Sequence, residues 1–69
     1  MKMYDYLIAY IFEKDGYLTH CSGTTTLRRK NKINSISDLQ EIVEYLTESI
    51  DGAKNLSIYN IVLLGVNKV

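Results

Sequence analysis

The chain contains one histidine and one cysteine, His20 and Cys21, residue types that often serve as base, nucleophile or metal ligand. They are adjacent in a segment with the composition of a β-strand, so their side chains are expected to point to opposite faces. A Cys–His nucleophilic pair needs side chains within hydrogen-bonding distance, and a zinc site needs three or four ligands. The sequence therefore predicts no catalytic residue, no metal site and no cofactor, and it indicates that the protein is not an enzyme.

Next to this pair, the segment Ser22-Gly23-Thr24-Thr25-Thr26 combines a glycine with hydroxyl groups, as phosphate-binding loops do. It lacks the second glycine, the lysine and the final Ser/Thr of such a loop. Threonine favours extended structure, so we interpret the segment as a solvent-facing strand. Within it, Gly23 predicts either a β-bulge or a place where a large neighbour, Ile8 or Tyr10, leans across.

One basic cluster follows, formed by Arg28, Arg29, Lys30 and Lys32. It could contact the phosphates of a nucleic acid, with Tyr4, Tyr6 or Tyr17 available to stack on bases. The other interpretation is solvated charge beside an edge strand, where Lys and Arg prevent unwanted sheet pairing. Eight basic and eight acidic side chains give a net charge of zero, which favours the second interpretation.

The opposite charge collects on the predicted helix, which has acidic residues and no basic ones. Glu41, Glu44 and Glu48 recur at helical spacing and form one stripe. This stripe could bind a basic protein partner or act as an inhibitor that imitates a phosphate backbone. An ordinary solvated helix face is the simpler interpretation.

The elements that position these residues begin with a strand at residues 4–12, which is rich in aromatic and β-branched types. Asp15-Gly16 then predicts a two-residue hairpin turn, and a second strand runs from Tyr17 to about Arg29. The first strand is apolar on both faces, which is typical of a central strand covered on two sides. The two-residue turn would pair Lys14 with Tyr17, Phe12 with Thr19, Tyr10 with Cys21, Ile8 with Gly23 and Tyr6 with Thr25.

A helix and a third strand complete the pattern. Ser35 and Ser37 each begin a Ser-x-x-acid/amide capping box, and Ser35 is the favoured cap. Gly52 is placed to end the helix in the left-handed conformation. Between these signals, apolar residues recur at spacings of three and four, at Ile36, Leu39, Ile42, Val43, Leu46 and Ile50. Residues 55–66 then form the third strand.

Residues 1–69 are therefore expected to form a single ββαβ domain of the α+β class. The preferred structure has two layers, with a three-stranded antiparallel sheet in the order 2-1-3 and the helix packed on one face, because the most apolar strand then lies in the centre. The order 1-2-3, with a parallel pair, is the competitor. The helix is expected on the tyrosine-bearing face of the first strand, where Cys21 and Gly23 leave room.

Size favours association. A chain this short buries only about 60% of its unfolded surface, and small domains gain stability from disulfides, metals or oligomerisation. A single cysteine excludes an internal disulfide, so a homodimer formed through the free sheet face or by edge pairing is expected. The single cysteine, the absence of a signal-peptide pattern and the lack of a membrane-spanning apolar run indicate a cytoplasmic location.

Three segments, residues 4–10, 33–39 and 58–64, give the chain a layout that resembles small ββαβ proteins encoded by phages and conjugative elements of low-GC Gram-positive bacteria. Most proteins of that group have no assigned activity. The resemblance covers nearly the whole chain and implies the ββαβ fold and a cytoplasmic bacterial or phage setting. It transfers no catalytic or binding residue. The sequence thus predicts a self-associating protein-interaction or accessory module of unknown cellular role, with nucleic-acid binding and inhibition as alternatives.

Overall fold

A computed structural model describes residues 1–16 and 19–69 of the chain. Four elements follow one another in the order ββαβ: β1 (Lys2–Lys14), β2 (Cys21–Arg29), α1 (Ile36–Ser49) and β3 (Ala53–Lys68). The strands form one sheet in the order β2-β1-β3, and both neighbouring pairs are antiparallel. The α+β class, the 2-1-3 order and the central position of the most apolar strand are confirmed.

The register between β1 and β2 differs from the prediction. Phe12 pairs with Cys21 instead of Thr19, and Tyr6 pairs with Leu27 instead of Thr25. The predicted two-residue turn is therefore wrong, although Gly16 does adopt the positive φ of +86° that a turn requires. The predicted partner of Lys14, Tyr17, lies outside the described residues.

The shift is two residues, so every side chain keeps its predicted face. It brings Leu27 against the buried core, and it places Gly23 opposite Tyr10. A Cβ atom at position 23 would lie 2.8 Å from the Tyr10 hydroxyl oxygen. Of the two predicted roles of Gly23, the structure selects the close approach of Tyr10. The tyrosine ring and the added apolar contact favour this register over the shorter turn.

Helix α1 covers the tyrosine-bearing face of β1, as predicted. Burial of apolar area is the main stabilising contribution here, and the core contains Tyr6, Ile8, Phe12, Ile42, Leu46 and Leu56. On the opposite face, Leu7 and Ile11 are each 37% exposed. Coverage of β1 on its second side, which its apolar pattern predicts, is therefore absent among the described residues.

The start of α1 follows the predicted signal, whereas its end differs from the prediction. The Ser35 hydroxyl accepts a hydrogen bond from the Asp38 backbone N–H at 3.2 Å, which identifies Ser35 as the N-cap. Asp38 in turn accepts from the backbone N–H of Asn34 at 3.1 Å. The helix ends at Ser49 with Ile50 as an extended C-cap. Gly52 adopts the predicted left-handed conformation, with a φ of +75°, but it lies two residues past this cap, in the turn that leads to β3.

Strand β3 is irregular along most of its length. Its register against β1 shifts at three places, and two of these shifts leave Tyr59 and Leu64 as extra residues without a direct partner on β1. Such bulges bend a strand and increase its twist. Between them, the stretch from Asn60 to Leu63 pairs regularly with the middle of β1.

Candidate association surface

The two arginines of the basic cluster point to opposite faces of β2, because successive strand residues alternate. Arg28 lies on the face without the helix, where its Nε donates to Asp5 Oδ1 at 2.7 Å and its Nη2 to Asp5 Oδ2 at 3.2 Å. Arg29 lies on the helix side, where its Nη2 is 3.3 Å from Asp38 Oδ1 and 3.8 Å from Glu41 Oε2. Both guanidinium groups thus contact carboxylates of the same chain.

This arrangement divides the predicted nucleic-acid-binding residues. Lys30 and Lys32 are exposed in the segment after β2, whereas the two arginines lie on different sides of the sheet. Tyr6 does not present a surface for base stacking, since it is buried and its hydroxyl accepts a hydrogen bond from the Ile33 backbone N–H at 2.9 Å. Nucleic-acid binding stays a prediction, and the geometry gives it no single basic face.

Asp5 connects all three strands at one end of the face without the helix. Besides Arg28 of β2, it accepts a hydrogen bond from the side-chain amide of Asn67 on β3. The hydrogen bond from Arg28 is the main cause that lowers the pKa of the Asp5 carboxyl below its ordinary value, and Asn67 acts in the same direction. Asp5 therefore stays ionised at neutral pH and fixes this end of the sheet.

The acidic stripe is also divided by its contacts. Glu41 lies next to Arg29, Glu44 lines a groove described below, and Glu48 is exposed near the end of the helix. The three carboxylates keep the predicted helical spacing, but one of them already faces a cation of its own chain. Their role in binding a basic partner stays a prediction.

A polar pocket of about 200 Å³ lies at the hairpin end of the sheet. Its size is below the roughly 300–1,000 Å³ of ordinary small-molecule sites. Lys54 Nζ donates to Asp15 Oδ1 at 2.7 Å, and this hydrogen bond lowers the pKa of Asp15 and raises that of Lys54. The lining is formed by Glu13, Lys14, Asp15, Gly16, Thr19, His20 and Lys54. The charges at this end serve to pair β1 and its hairpin with β3.

His20 and Cys21 do not form a joint site. His20 is exposed, while Cys21 is half-buried and packs against the core. Within residues 1–16 and 19–69, no group of three or more His, Cys, Asp or Glu side chains is arranged to hold a metal ion.

The sheet face opposite the helix, here called the free face, is apolar in its middle and polar at both ends. Leu7 and Ile11 of β1 flank the nearly buried Ala9, and Val62 of β3 lies directly beside Leu7. Leu64 is 56% exposed and lines a depression near Asp5 and Arg28. An apolar strip therefore crosses this face between the two polar ends.

A second apolar feature lies on the helix side, between α1 and β3. Ile58 and Ile61 of β3 line it opposite Leu39 and Val43 of the helix, in a groove of about 350 Å³. A neighbouring depression along the helix shares Leu39 and Val43 and extends to Ile36, which is 73% exposed. The helix stripe is therefore wider than the core that it covers, and its uncovered flank faces the outer edge of β3.

Strand β3 connects the two apolar features. Its exposed large apolar side chains are between 41% and 62% exposed, and they are Tyr59, Val62, Leu63, Leu64 and Val66. Sequence reasoning named the free face and edge pairing as surfaces for association, but it missed the groove beside α1. The sequence feature that could have indicated this groove is the run from Asn55 to Asn67, which contains no charged residue.

No protein-family model, curated protein or solved structure matches this chain. None of the described residues lies in a helix long and apolar enough to cross a bilayer.

Proposed function

We propose that the protein is a non-enzymatic interaction or accessory module that associates with itself. The observation that carries this proposal is the concentration of exposed large apolar side chains on β3, one of the two edge strands. Exposed apolar patches on proteins of this size usually mark interaction sites. The cytoplasm, with its reduced thiols, suits a chain whose one cysteine has no disulfide partner.

Three features support an interaction module over the competing roles. The basic residues at 28–32 are split between faces, and both arginines contact carboxylates, which weakens the case for a phosphate-binding surface. The acidic stripe is partly engaged by Arg29, which weakens the case for an inhibitor. A catalytic role would need an acid, a base and a nucleophile converging in one pocket, and the polar pocket at the hairpin end instead holds paired charges.

Mass measurement in solution tests the proposal. Light scattering and sedimentation equilibrium from low to high micromolar concentration should give twice the chain mass of 7.9 kDa at the upper end. The weight-average mass should fall towards that of one chain on dilution. A single chain throughout this range would contradict self-association.

A further inference from the structure

We infer that the partner is a second copy of this chain and that the two β3 strands pair antiparallel about a two-fold axis. The product is a six-stranded sheet with both helices on one face. This inference rests on the self-association proposed above and adds the interface and its register.

The outer edge of β3 lacks the charges and prolines that protect most edge strands. Natural edge strands are shielded by charges, especially lysine, by proline, by β-bulges or by a covering element, and β3 carries bulges at Tyr59 and Leu64. Between Lys54 and Lys68, β3 has neither a charged residue nor a proline. At about 3.3 Å per residue, this uncharged run is about 40 Å long. The opposite edge of the sheet, β2, ends in Arg28 and Arg29.

The helix is placed to complete such an interface. A two-fold axis perpendicular to the sheet keeps both helices on the same side, and each would turn its uncovered flank towards the other. That flank contains Ile36, Leu39 and Val43, which border the groove above β3. Strand pairing would supply main-chain hydrogen bonds, and the groove would be closed by the partner.

The pairing of apolar side chains selects the register. Side chains that lie opposite each other on paired strands must point to the same face of the sheet, so the two-fold axis passes beside a single residue. We place this residue in the regularly paired stretch Asn60–Leu63. An axis at Ile61 would place the polar Asn60 opposite Val62 of the second copy on the free face. An axis at Val62 pairs apolar side chains on both faces. It places Val62 opposite its own counterpart on the free face, and Ile61 opposite Leu63 on the helix side.

The available area fits a dimer. The molecule measures 43 × 20 × 18 Å along its principal axes. A side 43 Å long and 18–20 Å high sets an upper limit on the order of 800 Å² for the contact, and this limit is close to the roughly 800 Å² per partner of a standard protein interface.

The substitution Val62→Lys tests the interface, with Leu7→Lys as its matched control. The two residues are direct cross-strand neighbours on the free face, and they are 42% and 37% exposed. Only Val62 lies on the edge strand, so Val62→Lys should place two lysines opposite each other at the axis. We expect Val62→Lys to raise the dimer dissociation constant by at least about tenfold, while Leu7→Lys leaves it within about twofold.

The other outcomes separate this inference from the proposed function. Equal loss of dimer in both variants would show that free faces stack, and an unchanged dimer in both would place the interface elsewhere; either result overturns edge pairing and leaves self-association intact. A wild type that stays a single chain overturns both.

A second measurement uses only the wild-type chain, in case a variant does not fold. Amide hydrogen exchange at low and high protein concentration should show added protection within residues 58–66 of β3 on association, with no change within Cys21–Arg29 of β2. Added protection on β2, or on neither edge, would overturn the inference.

Discussion

At the scale of single residues, the charged side chains that could bind a ligand form structural ion pairs within the chain. Strand geometry places Arg28 and Arg29, which the sequence groups in one basic cluster, on opposite faces of β2. The sequence does not predict their partners, because these depend on register. In the shorter turn Asp5 would lie opposite Thr26, whereas the two-residue shift brings it opposite Arg28. Because the predicted register was wrong by two residues, it did not reveal the ion pair between Asp5 and Arg28, the first arginine of the basic cluster.

The Asp5 ion pair predicts a pH dependence of stability. The contact with Arg28 lowers the pKa of Asp5 in the folded state below its ordinary value of 3.8. The resulting stabilisation is therefore present above that value and is lost as the pH falls below it. The free energy of unfolding, measured in urea at constant protein concentration, should decrease less for Asp5→Asn than for the wild type between neutral and strongly acidic pH. Asp51→Asn, at an exposed position after the helix, should keep the wild-type slope; an equal effect of both would argue against the ion pair.

The buried hydroxyl of Tyr6 predicts a stability effect without a change of shape. Tyr6→Phe keeps the ring in the core but leaves the half-buried Ile33 N–H without the acceptor that it contacts at 2.9 Å. We expect a loss of about 1–2 kcal/mol in the free energy of unfolding. Tyr45→Phe, at a side chain 57% exposed on the helix, should change it by less than about 0.5 kcal/mol. Urea unfolding of both variants checks the difference, and equal effects would count against the hydrogen bond.

At the scale of elements, the local signals were sufficient wherever structure is local. The helix was predictable because its N-cap and its three-and-four periodicity are both contained within residues 35–50. The strands were predictable from composition, but the register of β1 against β2 was not. Asp15-Gly16 favours the shorter hairpin, while the fit of Tyr10 over Gly23 and of Leu27 into the core favours the longer one. Packing between distant residues prevailed over local turn preference.

The two overlapping caps give a test at the start of the helix. Ser35→Ala removes the acceptor of the Asp38 N–H and should lower the free energy of unfolding by about 1 kcal/mol. Ser37→Ala replaces the competing cap, which lies within the first turn of α1, and should be neutral within about 0.5 kcal/mol because alanine favours helix. Urea unfolding with helical circular dichroism as the signal measures both. If Ser37→Ala destabilised the protein more than Ser35→Ala, Ser37 would be the N-cap and the assignment of Ser35 would be wrong.

At the scale of the whole molecule, strand order followed from the distribution of hydrophobicity. β1 is apolar on both faces, and it lies in the centre of the sheet. The lateral position of α1 over the sheet could not be predicted, because it depends on how its side chains settle among those of all three strands. That position leaves the half-buried Leu39–Val43 side of the helix partly exposed, and with it the groove that sequence reasoning missed.

The unequal edges of the sheet have a consequence for the size of any assembly. β3 has sixteen residues and no charge between its terminal lysines, whereas β2 has nine and ends in two arginines. When two β3 edges meet, the merged sheet is bounded on both sides by β2, which is short and charged, so it offers little template for a third chain. Growth would then stop at a closed, isologous pair instead of continuing as a filament. In such a dimer, the difference between the two edges would allow one partner and prevent fibrous polymerisation.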